Sequence, residues 1–232
     1  MVDVHSHILP GIDDGSRDVE ESVSLLRASA RQGITVMAAT SHYYPDLTSP
    51  SEFLRKREDA WQRLRPRLEP DFPRILLGAE VYYFEGISRV RDIDTLCIGD
   101  TSLLLLEMPF ETWSDRMVQE VCRLNMRNDL TVLLAHIERY LFQQKLRVWR
   151  ELLEHGVMTQ TNASFFLFGK TKYLARWMLK RGLIHFLGSD CHNMDTRPPR
   201  LGECIQTLRK EDLRLVRRNM EEFFPSVGAG VL

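Results

Sequence analysis

The chain has 232 residues and a formal net charge of −1 at pH 7, with 44% hydrophobic and 27% charged residues. This length suits one domain with a sizeable core, and we predict a single domain over residues 1–232. The balanced charge and the lack of a long basic run argue against a nucleic-acid partner. No apolar run is long enough to cross a bilayer, and no basic leader precedes one, so neither membrane insertion nor a signal peptide is predicted.

The predicted elements alternate between strands and helices along the chain. In order, they are strand 2–4, a helix from Ser16 or Asp18 to about Gln32, strand 34–40, helix 51–68 with a kink at Pro66, strand 74–79, strand 103–106, helix 114–127, strand 130–135, helix 144–154, strand 157–161, helix 172–180, strand 184–188, and helices 200–209 and 211–224. Such alternation indicates parallel β-α units, either as a doubly wound sheet or as a barrel.

The first fifteen residues contain the first candidate site. His5 and His7 directly follow the strand 2–4 and lie two residues apart. Side chains two residues apart on a strand point to the same side, so both imidazoles can reach one metal ion. A Pro-Gly turn and the paired carboxylates of Asp13 and Asp14 follow before Gly15.

Further ligand-type residues stand at the ends of the other predicted strands. They are His42, Glu80, Glu107, His136, Asp190 and His192. Convergence of polar residues from nearly every strand end favours a barrel of seven strands, with a metal site at the C-terminal mouth. An open sheet would leave its outer strand ends too far apart. His155 and His185 fall at a helix end and inside a strand, and we predict structural roles for both.

The cysteines show no metal-type or disulfide-type spacing. They are Cys97, Cys122, Cys191 and Cys204. Reduced thiols and a cytoplasmic location are the simplest interpretation.

The ordered motifs resemble those of the polymerase-and-histidinol-phosphatase (PHP) metal-dependent phosphoesterases, especially the protein-tyrosine phosphatases of bacterial capsule and exopolysaccharide gene clusters. The resemblance rests on HSHILPGIDDG at 5–15, ATSH at 39–42, GAEVY at 78–82, LE at 106–107, AHIERY at 135–140 and SDCHN at 189–193. It covers almost the whole chain and implies the PHP fold, a distorted seven-stranded β/α barrel.

The resemblance also implies a site of three divalent ions. The first ion would be held by His5, His7, Glu80 and Asp190; the second by Glu80, Glu107 and His136; and the third by Asp14, His42 and His192. Asp13 competes with Asp14, and their spacing does not separate them. Nitrogen and carboxylate ligands without thiolate suit manganese, which we favour, or iron or zinc.

Clustered metals make a hydroxide nucleophile available near neutral pH, so direct hydrolysis of a phosphate ester is expected. Arg139 and Arg197 are candidate clamps for the phosphoryl oxygens, with surface salt bridges as the alternative. The substrate implied by the resemblance is the phosphorylated tyrosine-rich tail of a bacterial tyrosine autokinase in polysaccharide assembly. A small phosphomonoester such as histidinol phosphate is the main alternative. Two further alternatives are a nucleotide or nucleic-acid phosphodiesterase and a metal-binding module without catalytic activity. A homo-oligomer remains open.

Cys191 and Arg197 also match Cys-x5-Arg, the signature of thiol-dependent tyrosine phosphatases. The segment between them contains no glycine, and Pro198 and Pro199 remove amide donors just beyond. Because that loop needs backbone amides wrapped around phosphate, we interpret the match as coincidence.

The aromatic residues expected near the mouth of the barrel are predicted to pack against loops, with one or two of them contacting the phenyl ring of a substrate. They are Tyr43, Tyr44, Phe110, Trp113, Phe165, Phe166 and Phe168.

Overall fold

Parallel strands and helices alternate in the computed structural model, which describes residues 1–225. The strands are β1 (Val2–Asp3), β2 (Val36–Ala39), β3 (His42–Tyr43), β4 (Arg74–Leu77), β5 (Glu80–Tyr82), β6 (Leu103–Glu107), β7 (Thr131–Leu134), β8 (Met158–Asn162) and β9 (Phe186–Gly188). The α-helices are α1 (Val19–Arg31), α2 (Pro50–Leu64), α3 (Asp115–Asn125), α4 (Leu146–Glu154), α5 (Ser164–Leu167), α6 (Thr171–Lys180), α7 (Leu201–Gln206) and α8 (Arg214–Phe223). The last seven residues of the predicted domain, 226–232, lie outside the described residues.

The strands form two parallel sheets. Their orders are β1-β2-β4 and β3-β5-β6-β7-β8-β9. A parallel bridge between Ser6 and Cys191 joins the chain after β1 to the chain after β9. It is framed by hydrogen bonds from the amide of Asp190 to the carbonyl of His5 (2.8 Å) and from the amide of His7 to the carbonyl of Cys191 (2.9 Å). The first and last strands are therefore neighbours at their C-terminal ends.

The predicted count of seven strands is not confirmed, because the described residues contain nine. The two additional strands lie just beyond the predicted strands 34–40 and 74–79 and belong to the second sheet: β3 follows β2 after Thr40 and Ser41, and β5 follows β4 after Gly78 and Ala79. At the first break the amide of Thr40 donates to the carbonyl of Ser6. At the second, a Cβ on Gly78 would lie 3.2 Å from the backbone of Ile98. Close backbone packing at these points moves the chain from one sheet to the other.

Helix boundaries follow from capping residues. The carboxylate of Asp18 accepts from the amide of Glu21 and so begins α1, whereas the alternative cap Ser16 bonds to Ser22 instead. Ser49 caps α2, which ends at Leu64 rather than at residue 68. Proline has no amide to donate within a helix, and Pro66 lies in the short 3-10 turn that follows. The predicted helices 200–209 and 211–224 are shorter in the structure, as α7 and α8.

The core lies between the sheets and the helices packed on them. All five residues of β6 are buried, as expected for a strand covered on both faces. Across residues 1–225 no helix combines the length and the apolar character needed to span a membrane. The carboxyl ends of the strands carry the polar residues that the sequence singled out.

Candidate metal centre

All nine predicted ligands lie at one end of the two sheets. They follow or terminate strands: His5 and His7 after β1, Asp14 in the next loop, His42 in β3, Glu80 in β5, Glu107 at the end of β6, His136 after β7, and Asp190 and His192 after β9. Eight of these residues are buried or nearly so, and Asp14 is the exposed member, with 64% of its side chain accessible. Parallel strands place their carboxyl ends together, which explains this convergence.

Glu80 is the centre of the cluster. Its Oε2 lies 3.2 Å from Nε2 of His5, 3.2 Å from Nε2 of His7 and 3.2 Å from Nδ1 of His42. Its other oxygen, Oε1, lies 2.8 Å from Nε2 of His136. The two oxygens of one carboxylate thus face two different groups of imidazoles.

Three sets of ligand atoms converge closely enough to hold an ion, each within 4.8 Å of one another. The sets are His5, His7 and Asp190; His42, Glu80 and Glu107; and His7, Asp14, His42 and His192. His136 joins the second set through its Nε2, 3.5 Å from Oε1 of Glu107. The described structure therefore offers room for more than one cation.

Asp13 and Asp14 have different surroundings. Oδ2 of Asp13 accepts from Nδ1 of His7 (2.8 Å) and from the amide of His42 (2.9 Å), so its hydrogen-bonding capacity is used to orient other residues. Oδ1 of Asp14 instead lies 3.4 Å from Nε2 of both His42 and His192. The geometry thus separates the two aspartates in a way that their spacing did not.

Several buried polar atoms of the cluster have no hydrogen-bond partner among the described residues. They include Oδ1 of Asp190, Nε2 of His192 and Nδ1 of His42. Buried polar atoms without partners are costly, and these belong to the residue types that bind divalent cations. The donor set therefore fits metal ions.

The electrostatics also favour a cation. Burial opposes the ionisation of Glu80, but the charge of His5 and a hydrogen bond from His136 outweigh it and hold the pKa of Glu80 well below its usual range. Burial and the charge of Glu80 raise the pKa of Glu107 to about 7. Burial lowers the pKa of His136 to about 4, which leaves its imidazole neutral and able to act as a ligand.

Backbone strain is concentrated at two of the strand ends. Among the described residues, His136 and Asp190 are the non-glycine residues with positive φ, at 33° and 53°. Such conformations are unfavourable for ordinary residues and persist where the surrounding structure holds them. Two glycines allow the close approach of the same loops, because a Cβ on Gly15 would lie 2.4 Å from Cβ of His7 and one on Gly188 would lie 2.7 Å from Cβ of His5.

A second layer of polar residues on β8 was not predicted from the sequence. Oε1 of Gln160 lies 3.2 Å from Nδ1 of His5 and accepts from the amide of His136 (2.7 Å). The Nε2 of Gln160 donates to Asn162, whose own Nδ2 donates to Oδ2 of Asp190 (2.7 Å). Holding the far nitrogen of a histidine leaves its Nε2 free for a metal. The available signal was the polar run Thr-Gln-Thr-Asn at 159–162 inside a predicted buried strand.

Arg139 and Arg197 both bind Asp190. Nη2 of each donates to Oδ2 of this carboxylate, at 2.5 Å and 2.7 Å. About a third of each side chain stays exposed. Both line a cavity of about 180 Å³ together with Asn162, Phe168 and Arg200. The alternative interpretation for these arginines was a surface salt bridge. Both do form ion pairs, but their partner is Asp190, a carboxylate of the site, and both border an open cavity.

The thiol of Cys191 faces away from the site. It is fully buried and packs in an apolar cluster with Ile8 and Leu9. Burial and the charge of Asp3 raise the pKa of the Cys191 thiol, which disfavours the thiolate that a nucleophilic mechanism needs.

Most of the aromatic residues expected at the mouth are buried. They are Tyr43, Trp113, Phe165 and Phe166. Three others border the site. Tyr44 stacks on His42 with 5.2 Å between ring centroids, Phe110 lies beside His136 and Arg139, and Phe168 lines the cavity.

The chain matches a family model described as "Capsular polysaccharide synthesis, CpsB/CapC" over residues 1–223. Relatives named tyrosine-protein phosphatase CpsB are 34% identical in Streptococcus agalactiae and 33% identical in Streptococcus pneumoniae, with 91% of this chain and 90% of the relative covered in both. Tyrosine-protein phosphatase YwqE of Bacillus subtilis is 31% identical, with 91% of this chain and 85% of the relative covered.

Two solved structures share the fold. One comes from a crystallographic study of YwqE from Bacillus subtilis and CpsB from Streptococcus pneumoniae, described as metal-dependent tyrosine phosphatases. It has a TM-score of 0.78 and 24% sequence identity, and the match covers 95% of this chain and 93% of the other. Histidinol phosphate phosphatase from Lactococcus lactis has a TM-score of 0.55 and 14% identity, covering 94% of this chain and 93% of its own.

Proposed function

This chain belongs to the CpsB/CapC family of capsular polysaccharide synthesis, and we propose that it is a metal-dependent tyrosine-protein phosphatase. The observation that carries this proposal is the convergence of nine histidine, aspartate and glutamate ligands beside two arginines at an open cavity. A hydrolase for phosphate esters needs an activated water and positive charge around the phosphoryl group. Divalent ions held by these ligands would activate the water, and the two arginines would add positive charge beside it.

The proposed site holds three divalent ions, with manganese as the favoured metal. We assign His5, His7, Glu80 and Asp190 to the first ion, with Glu80 bridging to the second. The second ion is completed by Glu107 and His136, and the third is held by Asp14, His42 and His192. The 3.4 Å distances from Asp14 to both His42 and His192 support its choice over Asp13. Mixed imidazole and carboxylate donors suit a divalent ion of the manganese-to-zinc series.

Bound divalent ions supply a water of lowered pKa and offset the charge of a phosphate dianion. The chain itself supplies orientation. Asp13 and Gln160 hold the far nitrogens of His7 and His5, so that both Nε2 atoms point into the cluster. Arg139 and Arg197 present guanidinium groups at the cavity and take the phosphoryl oxygens. A phenolate leaving group, with a pKa of about 10, departs without strong acid assistance.

The proposed substrate is a phosphotyrosine-containing protein, namely the tyrosine-rich tail of a bacterial autokinase that controls polysaccharide synthesis in the cytoplasm. The relatives named tyrosine-protein phosphatase support this choice. We also propose that residues 1–232 form one domain whose two sheets make a single distorted barrel. The Ser6–Cys191 bridge between the first and last strands supports that closure.

A substrate panel tests the function. We expect hydrolysis of a phosphotyrosine peptide to exceed that of a phosphoserine peptide, histidinol phosphate and bis-p-nitrophenyl phosphate by at least about tenfold in kcat/KM. A phenolate leaves more readily than the alkoxides of the first two, and a monoester dianion carries more charge for the site to stabilise than a diester monoanion. The measurement is release of inorganic phosphate, or of nitrophenolate for the diester, with manganese present. Preference for histidinol phosphate would replace the proposed substrate with a small phosphomonoester.

Arg139→Ala and Arg197→Ala should each lower the kcat/KM for phosphotyrosine peptide roughly a hundredfold, the usual scale for losing one charge-stabilising donor. Steady-state kinetics and metal analysis of each variant provide the measurement. Arg147→Ala is the matched control, because Arg147 pairs with Asp115 on the surface and should have little effect. Near wild-type rates in both site variants would show that the arginines only brace Asp190.

A further inference from the structure

A basic and aromatic surface lies beside the proposed site and has no role in the chemistry described above. The 35 residues between Glu154 and Asp190 include five lysines or arginines and no aspartate or glutamate. This segment runs from the end of α4 through β8, α5, α6 and β9. A stretch without acidic residues in a chain of near-zero net charge indicates a local positive potential that attracts anions.

Three of the five basic side chains form no ion pair with a residue in 1–225. Lys180 lies 4.0 Å from Asp212, and Nη2 of Arg176 donates to the carbonyl of Thr207. Lys170, Lys172 and Arg181 have no ion pair with any residue in 1–225. These three side chains are therefore available to an external anion.

Exposed aromatic residues lie among these basic groups. Phe168, Tyr173 and Trp177 are 52%, 67% and 48% exposed. The guanidinium of Arg181 lies 4.5 Å from the ring centroid of Trp177, and the ammonium of Lys172 lies 5.2 Å from that of Tyr173. We call this group the basic-aromatic surface; its members are Phe168, Lys170, Lys172, Tyr173, Trp177 and Arg181.

The basic-aromatic surface meets the cavity of the site at Phe168. Phe168 lines that cavity, and the guanidinium of Arg200, which also lines it, lies 4.9 Å from the centroid of the Phe168 ring. From Thr171 to Arg181 the helix α6 rises about 15 Å, a length that about five residues of extended polypeptide cover. A peptide that leaves the cavity past Phe168 and follows α6 would therefore reach Arg181 within about eight residues.

We propose that the basic-aromatic surface binds acidic or phosphorylated residues on the same polypeptide as the reacting phosphotyrosine. The proposal rests on the proposed phosphatase function and gives that site a preference for anionic substrate segments. Anionic side chains three to eight residues from the phosphotyrosine meet Lys170, Lys172 and Arg181, while Tyr173 and Trp177 contact its side chains. An anionic lipid surface would also attract α6, but it would not reach Arg139 and Arg197 in the cavity, whereas a peptide contacts both regions.

Kinetics with two matched peptides test the proposal. Both carry one phosphotyrosine; one has glutamates three to eight residues away on both sides, and the other has glutamines there. We expect the wild-type kcat/KM to be roughly tenfold higher for the acidic peptide, because three charge contacts of surface strength give about that factor. The variant Lys170→Ala/Lys172→Ala/Arg181→Ala should bring the ratio of the two values close to one, mainly through KM.

The control variant Arg65→Ala/Arg91→Ala/Arg150→Ala removes the same charge from other exposed positions and should keep the ratio. A ratio near one in the wild type, or an equal loss in both triple variants, would overturn the proposal while leaving phosphatase function intact. Lack of hydrolysis of either peptide would instead count against the phosphatase function.

Sedimentation with phosphatidylserine vesicles completes the test. If the first triple variant loses vesicle binding but keeps its peptide preference, the surface binds membranes and the proposal is wrong.

Discussion

Replacing Asp190 with asparagine should lower phosphotyrosine hydrolysis by on the order of a thousandfold, the scale expected when a metal cluster is disrupted. Within residues 1–225, Oδ1 of Asp190 has no hydrogen-bond partner, and it lies 3.5 Å from Nε2 of both His5 and His7, which suits a ligand to their ion. Oδ2 anchors both Arg139 and Arg197. One substitution therefore weakens an ion site and releases two guanidinium groups. Peptide hydrolysis and bound metal, measured on the same preparation, provide the test.

The neighbouring position supplies the matched control. Cys191→Ser should cost little activity and no metal, because its thiol is buried in an apolar cluster and does not face the ligands. The two changes are adjacent in the chain, so a general disturbance of the loop would affect both. An inactive Cys191→Ser variant with its full metal complement would overturn the metal mechanism in favour of a thiol nucleophile.

Removing the metal should abolish turnover, and adding manganese should restore it best. The proposed ligands are imidazoles and carboxylates without thiolate, a donor set that suits divalent ions from manganese to zinc. The expected loss is at least about a thousandfold, since the proposed nucleophile is a water activated by the ions. The measurement is phosphotyrosine-peptide hydrolysis after chelation and dialysis, repeated after addition of manganese, zinc, iron(II) or magnesium.

Circular dichroism before and after chelation separates loss of metal from loss of structure. We expect little change in the helical signal, because the apolar core between the sheets and helices does not depend on the ligands. Full turnover by protein shown to be free of metal would contradict the proposed mechanism. Restoration by zinc alone would retain the mechanism and change the favoured ion.

Part of the arrangement was predictable because it depends on local periodicity. Runs such as Leu103 to Leu106 are apolar throughout and read as strands buried on both faces, and parallel strands bring their carboxyl ends together. That rule is enough to collect His5, His7 and the other strand-end residues at one place. The helix caps were only partly readable: Asp18 was one of two candidates for α1, whereas α2 is capped by Ser49, before the predicted start at Ser51.

The division into two sheets was not predictable in this way. The predicted strand ended at residue 40, whereas in the structure the two-residue strand β3 follows β2 after Thr40 and Ser41 and lies in the other sheet. The break depends on which backbone groups are near in space, such as the carbonyl of Ser6 that accepts from Thr40. Hydrophobic patterning carries no information about such contacts between distant segments.

The sequence by itself determined the parallel α/β class and the residue types at the strand ends, since both follow from short-range patterns. Tertiary structure alone decided that Asp13 orients His7 while Asp14 faces His42 and His192. It also placed Gln160 behind His5 and brought Arg139 and Arg197 to one oxygen of Asp190. These outcomes depend on distances between side chains far apart in the chain, and packing, rather than periodicity, sets those distances.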